Sequence, residues 1–416
     1  MLLNETIGEK DHKKNFVLLL WQSFFFLLTI NILDKDTILP GMFSRMGAGE
    51  ILIGLLSVIT IGLPKFSQIF FGLILQNKIT RKRYILHGFS IRISALLAIA
   101  YVLWQYYIFN IPAGWTIVLI LLLFTIYSLA AAYTSVGMID LAPRSLFYSS
   151  LKKFYSLKQL GNGIGIIIAL LAVRPLLKIF PYPANYSFLH LLGAITLTIS
   201  TIALFFVKEK IIVAKASYTL KRYFGFVVNE LKNNKSLLYL ALIVNSEGLF
   251  LSIIPFFTTL AISKFAFNAK LVGTLFAWKI IGILASSIFL TFKKNYDYFN
   301  VLRINILISI LAPIFIIIFS QKLLIYKIIF FLVGVFNSLY RISFEGLLVE
   351  ISTEKNRPTY ASILGSSNIS TFIIPLLSGS MIKVLGYDFT FILSAIFLSA
   401  TMIFIFKLKQ EISHQA

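Results

Sequence analysis

The chain has 416 residues, of which 58% are hydrophobic and 13% charged, with a formal net charge of +22. Its many apolar runs longer than eighteen residues exclude a soluble globular domain. The dispersal of Lys and Arg between those runs excludes a nucleic-acid surface, which needs its charge gathered on one folded face. No cysteine is present, so neither a disulfide framework nor a thiolate metal cluster is possible.

The head from Met1 to Asn15 is polar, and the apolar run behind it is too long, and lacks the small-residue pattern, for a cleavable signal. From there the hydropathy predicts twelve spans, at 16–39, 50–75, 84–108, 115–139, 158–177, 186–207, 237–260, 270–291, 300–320, 326–349, 360–383 and 387–407. A helix, with its main-chain bonds closed internally, is the default structure of each. Forty Phe and nineteen Tyr supply lipid-facing surface and interfacial anchors, and are too abundant to mark an aromatic site.

Lys10, Lys13, Lys14, Lys78, Arg81, Lys82, Arg83, Arg144, Lys152, Lys153, Lys293, Lys294, Lys355, Arg357, Lys407 and Lys409 fall on one side if the amino terminus is inside. The opposite connections carry far fewer basic residues, so the bias places both termini in the cytoplasm of a bacterial inner or plasma membrane. The longest polar connection, 208–236, lies near the midpoint and carries seven Lys and Arg against Glu209 and Glu230. It reads as a cytoplasmic linker lying against an anionic leaflet. The expected fold is therefore an all-alpha polytopic membrane protein of twelve transmembrane helices in two six-helix bundles, 1–207 and 237–416.

The connection after span two reads Gly72, Gln76, Ile79, Thr80 and Arg81, followed by Lys82 and Arg83, and the one after span ten runs from Glu350 through Glu354 to Arg357. With twelve spans, inward termini and a central loop, this resembles the major facilitator superfamily. Gly72 and the basic cluster match that family's loop, whereas Gln76 and Ile79 stand where it has Asp and a second Gly. The resemblance implies two halves that alternate access to a central path. The likeness to drug/proton antiporters is weaker, because Gly161-Asn162-Gly163-Ile164-Gly165 lacks their proline and span four lacks a mid-membrane Arg.

Ionisable and amide side chains at membrane depth are the candidate functional residues, since a charge facing hydrocarbon costs several kcal/mol. Span one ends in Asn31, Asp34, Lys35 and Asp36 before Pro40; Asn31 is a substrate candidate and Asp34 a coupling candidate, against the plainer reading of a solvated helix end. Lys65, Arg92 and Asp140 have similar depths, which permits an inner gate, with snorkelling or structural pairing as the alternative. Asn162 reaches toward the path from span five, while Gly161 and Gly165 form a small-residue packing face. Glu247 and Lys279 lie roughly 15 and 14 Å into spans seven and eight. An opposed pair serves either coupling and substrate contact or structure alone. In span ten Arg341 and Glu345 share a helix face, as an intrahelical bridge or as clamp and gate, with Asn337 and Tyr340 extending the polar stretch.

These residues suit secondary active transport of a small polar or zwitterionic solute, coupled to protons through Glu247 or Asp34. Export or flipping of an amphiphilic, drug-like or lipid-like molecule is the alternative. No HExxH motif occurs and the four histidines are dispersed, so neither an enzyme, a metal nor a cofactor is expected. The expected partners are the solute, membrane lipids and protons, with no nucleic acid and a monomer as the working unit.

Overall fold

The computed structural model describes residues 8–76, 78, 80–210, 219–265, 269–292, 297–352 and 357–415. The connection residues Ile79, Lys215, Lys293, Lys294 and Lys355 lie outside them. Among the described residues every regular element is a helix, and eleven helical stretches are long and apolar enough to cross a membrane. The protein is an all-alpha polytopic membrane protein.

Apolar side chains fill the core between these helices and also cover much of their outer surface. On α6 (Ala113–Ser145), Trp115, Leu119, Leu122 and Ile126 form an exposed stripe at helical spacing, while Thr116, Ser128 and Thr134 are buried. That is the reverse of a water-soluble helix and suits a lipid solvent. The 33 residues of α6 span about 50 Å, longer than a hydrocarbon core of about 30 Å, so its charged end projects beyond the apolar layer.

By packing, the chain divides into two units, one made of 1–34 and 67–220 and the other of 35–66 and 221–416. In the first, α1 (Glu9–Ile32) packs on α7 (Tyr148–Ile179) and α8 (Ala184–Phe206), and α5 (Lys82–Phe109) packs on α6 and α8. The second holds the short α2 (Ile38–Arg45) and α3 (Glu50–Ser57), then α9 (Leu220–Asn233), α10 (Lys235–Phe265), α11 (Ala269–Phe292), α12 (Tyr298–Phe319), α13 (Leu323–Glu350), α14 (Arg357–Ser366) and α15 (Ser370–Gln415). Between α3 and α4 (Leu63–Gln76) lies a π-helical turn, Val58–Gly62. A division at 208–236 alone leaves residues 35–66 in the first half; they pack instead with α10, α11 and α15.

Several expected spans change shape. Span one is not one helix to residue 39: α1 stops at Ile32, the charged Asp34–Asp36 segment is non-helical, and α2 resumes with six buried residues from Ile38 to Phe43. Span five starts ten residues early, at Tyr148, because the basic, polar stretch up to Lys158 continues the helix outside the apolar run. Spans eleven and twelve fall on one stretch, Thr359–Ser413, interrupted twice. One interruption is the non-helical link 367–369 between α14 and α15, and the other is Gly386 within α15, at φ 83° and ψ 172°. Only glycine adopts that conformation readily, so the break lies where the sequence spacing puts a connection.

Close helix contacts in the second unit use glycines as well. A Cβ at Gly282 on α11 would overlap the Phe331 carbonyl of α13, and one at Gly334 on α13 would overlap the Lys279 carbonyl of α11. The two helices therefore meet backbone to backbone, which gives Lys279 a rigid support.

Candidate functional site

Glu247, midway along α10, is 1% exposed. Its carboxylate accepts a hydrogen bond of 2.7 Å from the Nδ2 of Asn305 on α12. Among the described residues no Lys, Arg or His pairs with it. Asn305 is fully buried, and its Oδ1 has no hydrogen-bond partner among the described residues. An isolated carboxylate in such a place is far costlier than its protonated form.

The same stretch of α10 holds the broken helix beside it. The Asn245 Nδ2 donates 2.9 Å bonds to the carbonyls of Ala241 and Ser367, and its Oδ1 accepts from the Ser370 amide at 3.2 Å. A side-chain amide thus replaces the main-chain bonds that the 367–369 link gives up, as backbone at membrane depth requires. Gly248 leaves room for the Ser370 hydroxyl and the Asn368 Oδ1, which bond one another at 2.9 Å. Phe250, Phe336 and Tyr340 continue the layer onto α13, with ring centroids 4.5 and 6.0 Å apart in turn. Asn337 is half-buried one turn before Arg341.

Lys279 and Glu247 do not form a pair. Lys279 instead binds Asp36 at 2.5 Å, with both side chains buried, and the Thr258 hydroxyl donates to the Asp36 carbonyl at 2.7 Å. The non-helical segment after α1 reaches the lysine because its backbone is not confined to a helix. Arg341 bridges Glu345 at 3.1 Å along one helix, with side chains 48% and 65% exposed.

In the first unit Asn31 donates to Asn162 at 3.3 Å, which brings together two substrate candidates from α1 and α7. Asp34 is half-buried. Within the first unit Arg92 and Asp140 take separate partners. Asp140 binds Arg81 at 2.7 Å and Arg144 at 2.8 Å. Arg92, 3% exposed, donates to the Tyr127 hydroxyl at 2.7 Å and to Thr134 at 3.2 Å. Lys65 is half-buried on α4.

At the charged end of this unit Glu209 accepts from the amides of Arg81 and Lys82, at 2.9 and 3.0 Å, where the first turn of α5 has free N–H groups. Arg81 also donates to the carbonyls of Leu75 and Lys78. The acid at this loop thus comes from the start of the central connection.

Sequence reasoning named neither Asn305 nor Glu209 as a partner, and it gave Asp36 less weight than Asp34. The signal for Asn305 was present: it is the one amide inside the apolar run 301–319. No pattern in the sequence signals the Asp36–Lys279 contact, which joins residues 243 positions apart.

No protein-family model and no curated protein matches this chain. Solved structures do resemble it. The nucleoside transporter NupG matches at a TM-score of 0.65 and 17% identity over 95% of this chain and 98% of the other. A POT family transporter in complex with 5-aminolevulinic acid matches at 0.68 and 14% over 95% and 96%. A bacterial homologue of the human lysosomal transporter Spinster, in an inward-facing and unoccupied conformation, matches at 0.66 and 11% over 97% and 98%. Along nearly its whole length the chain has the polytopic helical fold of these solved structures.

Proposed function

We propose that the chain is a secondary active transporter of a small polar or zwitterionic solute, working by alternating access of two six-helix bundles, 1–207 and 237–416, joined by the cytoplasmic connection 208–236. Twelve spans follow if the Gly386 break separates the last two. The observation that carries the reading is Glu247: a carboxyl group buried at mid-span depth, held by one neutral amide and without a basic partner among the described residues. Such a group holds a proton while shielded and releases it when one face opens, so its charge state differs between access states. A proton then biases the two states unequally, which is what coupling requires.

In this reading Glu247 and Asp34 carry coupling. Asn31, Asn162, Lys279, Asn337, Tyr340 and Arg341 contact solute, and Asp140 and Glu345 belong to gates that exchange ion-pair partners. The similar structures include transporters of nucleosides and peptides and one holding 5-aminolevulinic acid, an amino acid. All of these are small polar molecules, which supports the polar class over an amphiphile.

Proteoliposomes screened with nucleosides, short peptides and amino acids, with and without a proton gradient, test the proposal. The expected result is gradient-driven accumulation that Glu247→Gln abolishes while solute exchange persists, because the amide keeps the Asn305 contact but cannot titrate. Accumulation indifferent to the gradient in the unaltered protein removes proton coupling, and no flux of any of these solutes removes the polar-solute reading.

A further inference from the structure

Arg92 is a buried guanidinium with no counter-ion among the described residues. It lies ten residues into α5, about 15 Å along the helix, too deep to reach the headgroup layer easily. Gly88, one turn earlier on the same face, lets α5 approach Thr134 and Tyr133 closely enough for the Arg92 side chain to cross to α6. There it uses one donor on Tyr127 and one on Thr134. The rings of Phe26, Phe89 and Tyr127 surround it, with centroids 5.0, 5.3 and 4.6 Å from the guanidinium carbon. Its Nε is buried, and among the described residues it has no acceptor and no carboxylate pairs with Arg92.

The contrast with the other buried cations is specific. Lys279 is neutralised by Asp36, and Arg81 and Arg144 share Asp140. Aromatic faces and two hydroxyls offset part of the cost of burying Arg92, but they carry no formal negative charge. A planar fork with an unused Nε donor fits an oxyanion, which takes two parallel N–H bonds from Nε and an Nη. Of the three rings, Phe26 and Tyr127 are only half-buried, so they form the side of the cage through which a ligand enters.

We propose that Arg92 is an oxyanion-binding residue that receives a carboxylate or phosphate group. Resting on the transport reading above, this makes the solute an anion or a zwitterion whose negative group docks in the first unit. The Arg92 cage then serves binding and not the gate expected from its depth alone.

The test measures binding with no gradient and no flux, so it succeeds or fails apart from the transport reading. The full chain in phosphatidylcholine nanodiscs is titrated with inorganic phosphate and with succinate, followed by thermal unfolding and by phenylglyoxal modification at Arg92 read by mass spectrometry. The expected result is saturable stabilisation by at least one anion and protection of Arg92 from modification. Arg92→Lys keeps the charge but loses the fork and weakens binding about tenfold or more, and Arg92→Gln abolishes it. Arg174→Gln, which removes an exposed charge elsewhere, leaves it unchanged. A parallel arm with phosphatidylglycerol and no added anion separates the sources: protection there identifies a lipid phosphate as the occupant, and protection only by the soluble anions identifies a solute. Absence of protection by any of them in the unaltered protein overturns the proposal even if no Arg92 variant folds, as does unchanged binding in Arg92→Gln.

Discussion

Asp36 and Lys279 illustrate what a buried ion pair does in a membrane protein. Each charge alone in that environment is strongly unfavourable, and the pair is tolerated because the two are in direct contact at 2.5 Å. Removing one partner strands the other, so Asp36→Asn or Lys279→Met is expected to lower stability by about 3–5 kcal/mol. The double variant strands nothing and is expected to cost much less than the sum of the two. Chemical unfolding of the four proteins in one detergent measures the coupling. Additive losses would show that the two side chains do not depend on each other. Arg341 and Glu345 differ: they pair along one helix with both side chains largely exposed, so burial does not hold them together.

At the scale of elements, the apolar runs give away the helices but not their interruptions. Hydropathy averages over eighteen or more residues, so the five-residue unwinding at 33–37 and the 367–369 link vanish into a window that remains apolar overall. The polar residues at those points were visible, yet Asp34–Asp36 reads equally well as a helix end. What holds the second break open is Asn245, which bonds the Ser367 carbonyl and the Ser370 amide. Its amide could have served a helix contact, a solute or a backbone gap, and only the fold selects among them. Replacing it by alanine leaves the Ser370 amide without its acceptor, while the Ser367 carbonyl keeps only the Ile369 amide, and Asn245→Ala is expected to destabilise the protein by about 1–3 kcal/mol. Hydrogen exchange should locate the effect, with the Ser370 amide losing protection while α12 keeps its own. Uniform loss across both would assign the residue to global packing instead.

The orientation of the whole molecule follows from how charge is distributed between the two ends of the helices. In the first unit Asp11, Arg81, Lys82, Asp140, Arg144, Lys208 and Glu209 gather at one end, tied by the Lys208–Asp11 and Arg81–Asp140 bridges. At the other end the connections 110–112 and 180–183 contain no Lys or Arg. Charge retention on the cytoplasmic side during insertion predicts that the first end faces inward. The sequence carried this asymmetry in full, because it depends on which residues flank each span and not on how the spans pack. It carried none of the grouping that places 35–66 with the second unit, which arises from α3 meeting α15 across more than three hundred residues. Since the chain has no cysteine, single introduced thiols report without background. Asn110→Cys is expected to react with a membrane-impermeant maleimide in intact cells, and Ser150→Cys and Ser413→Cys only after permeabilisation. Labelling of Ser150→Cys from outside would invert the topology, and with it the direction in which Glu247 exchanges its proton.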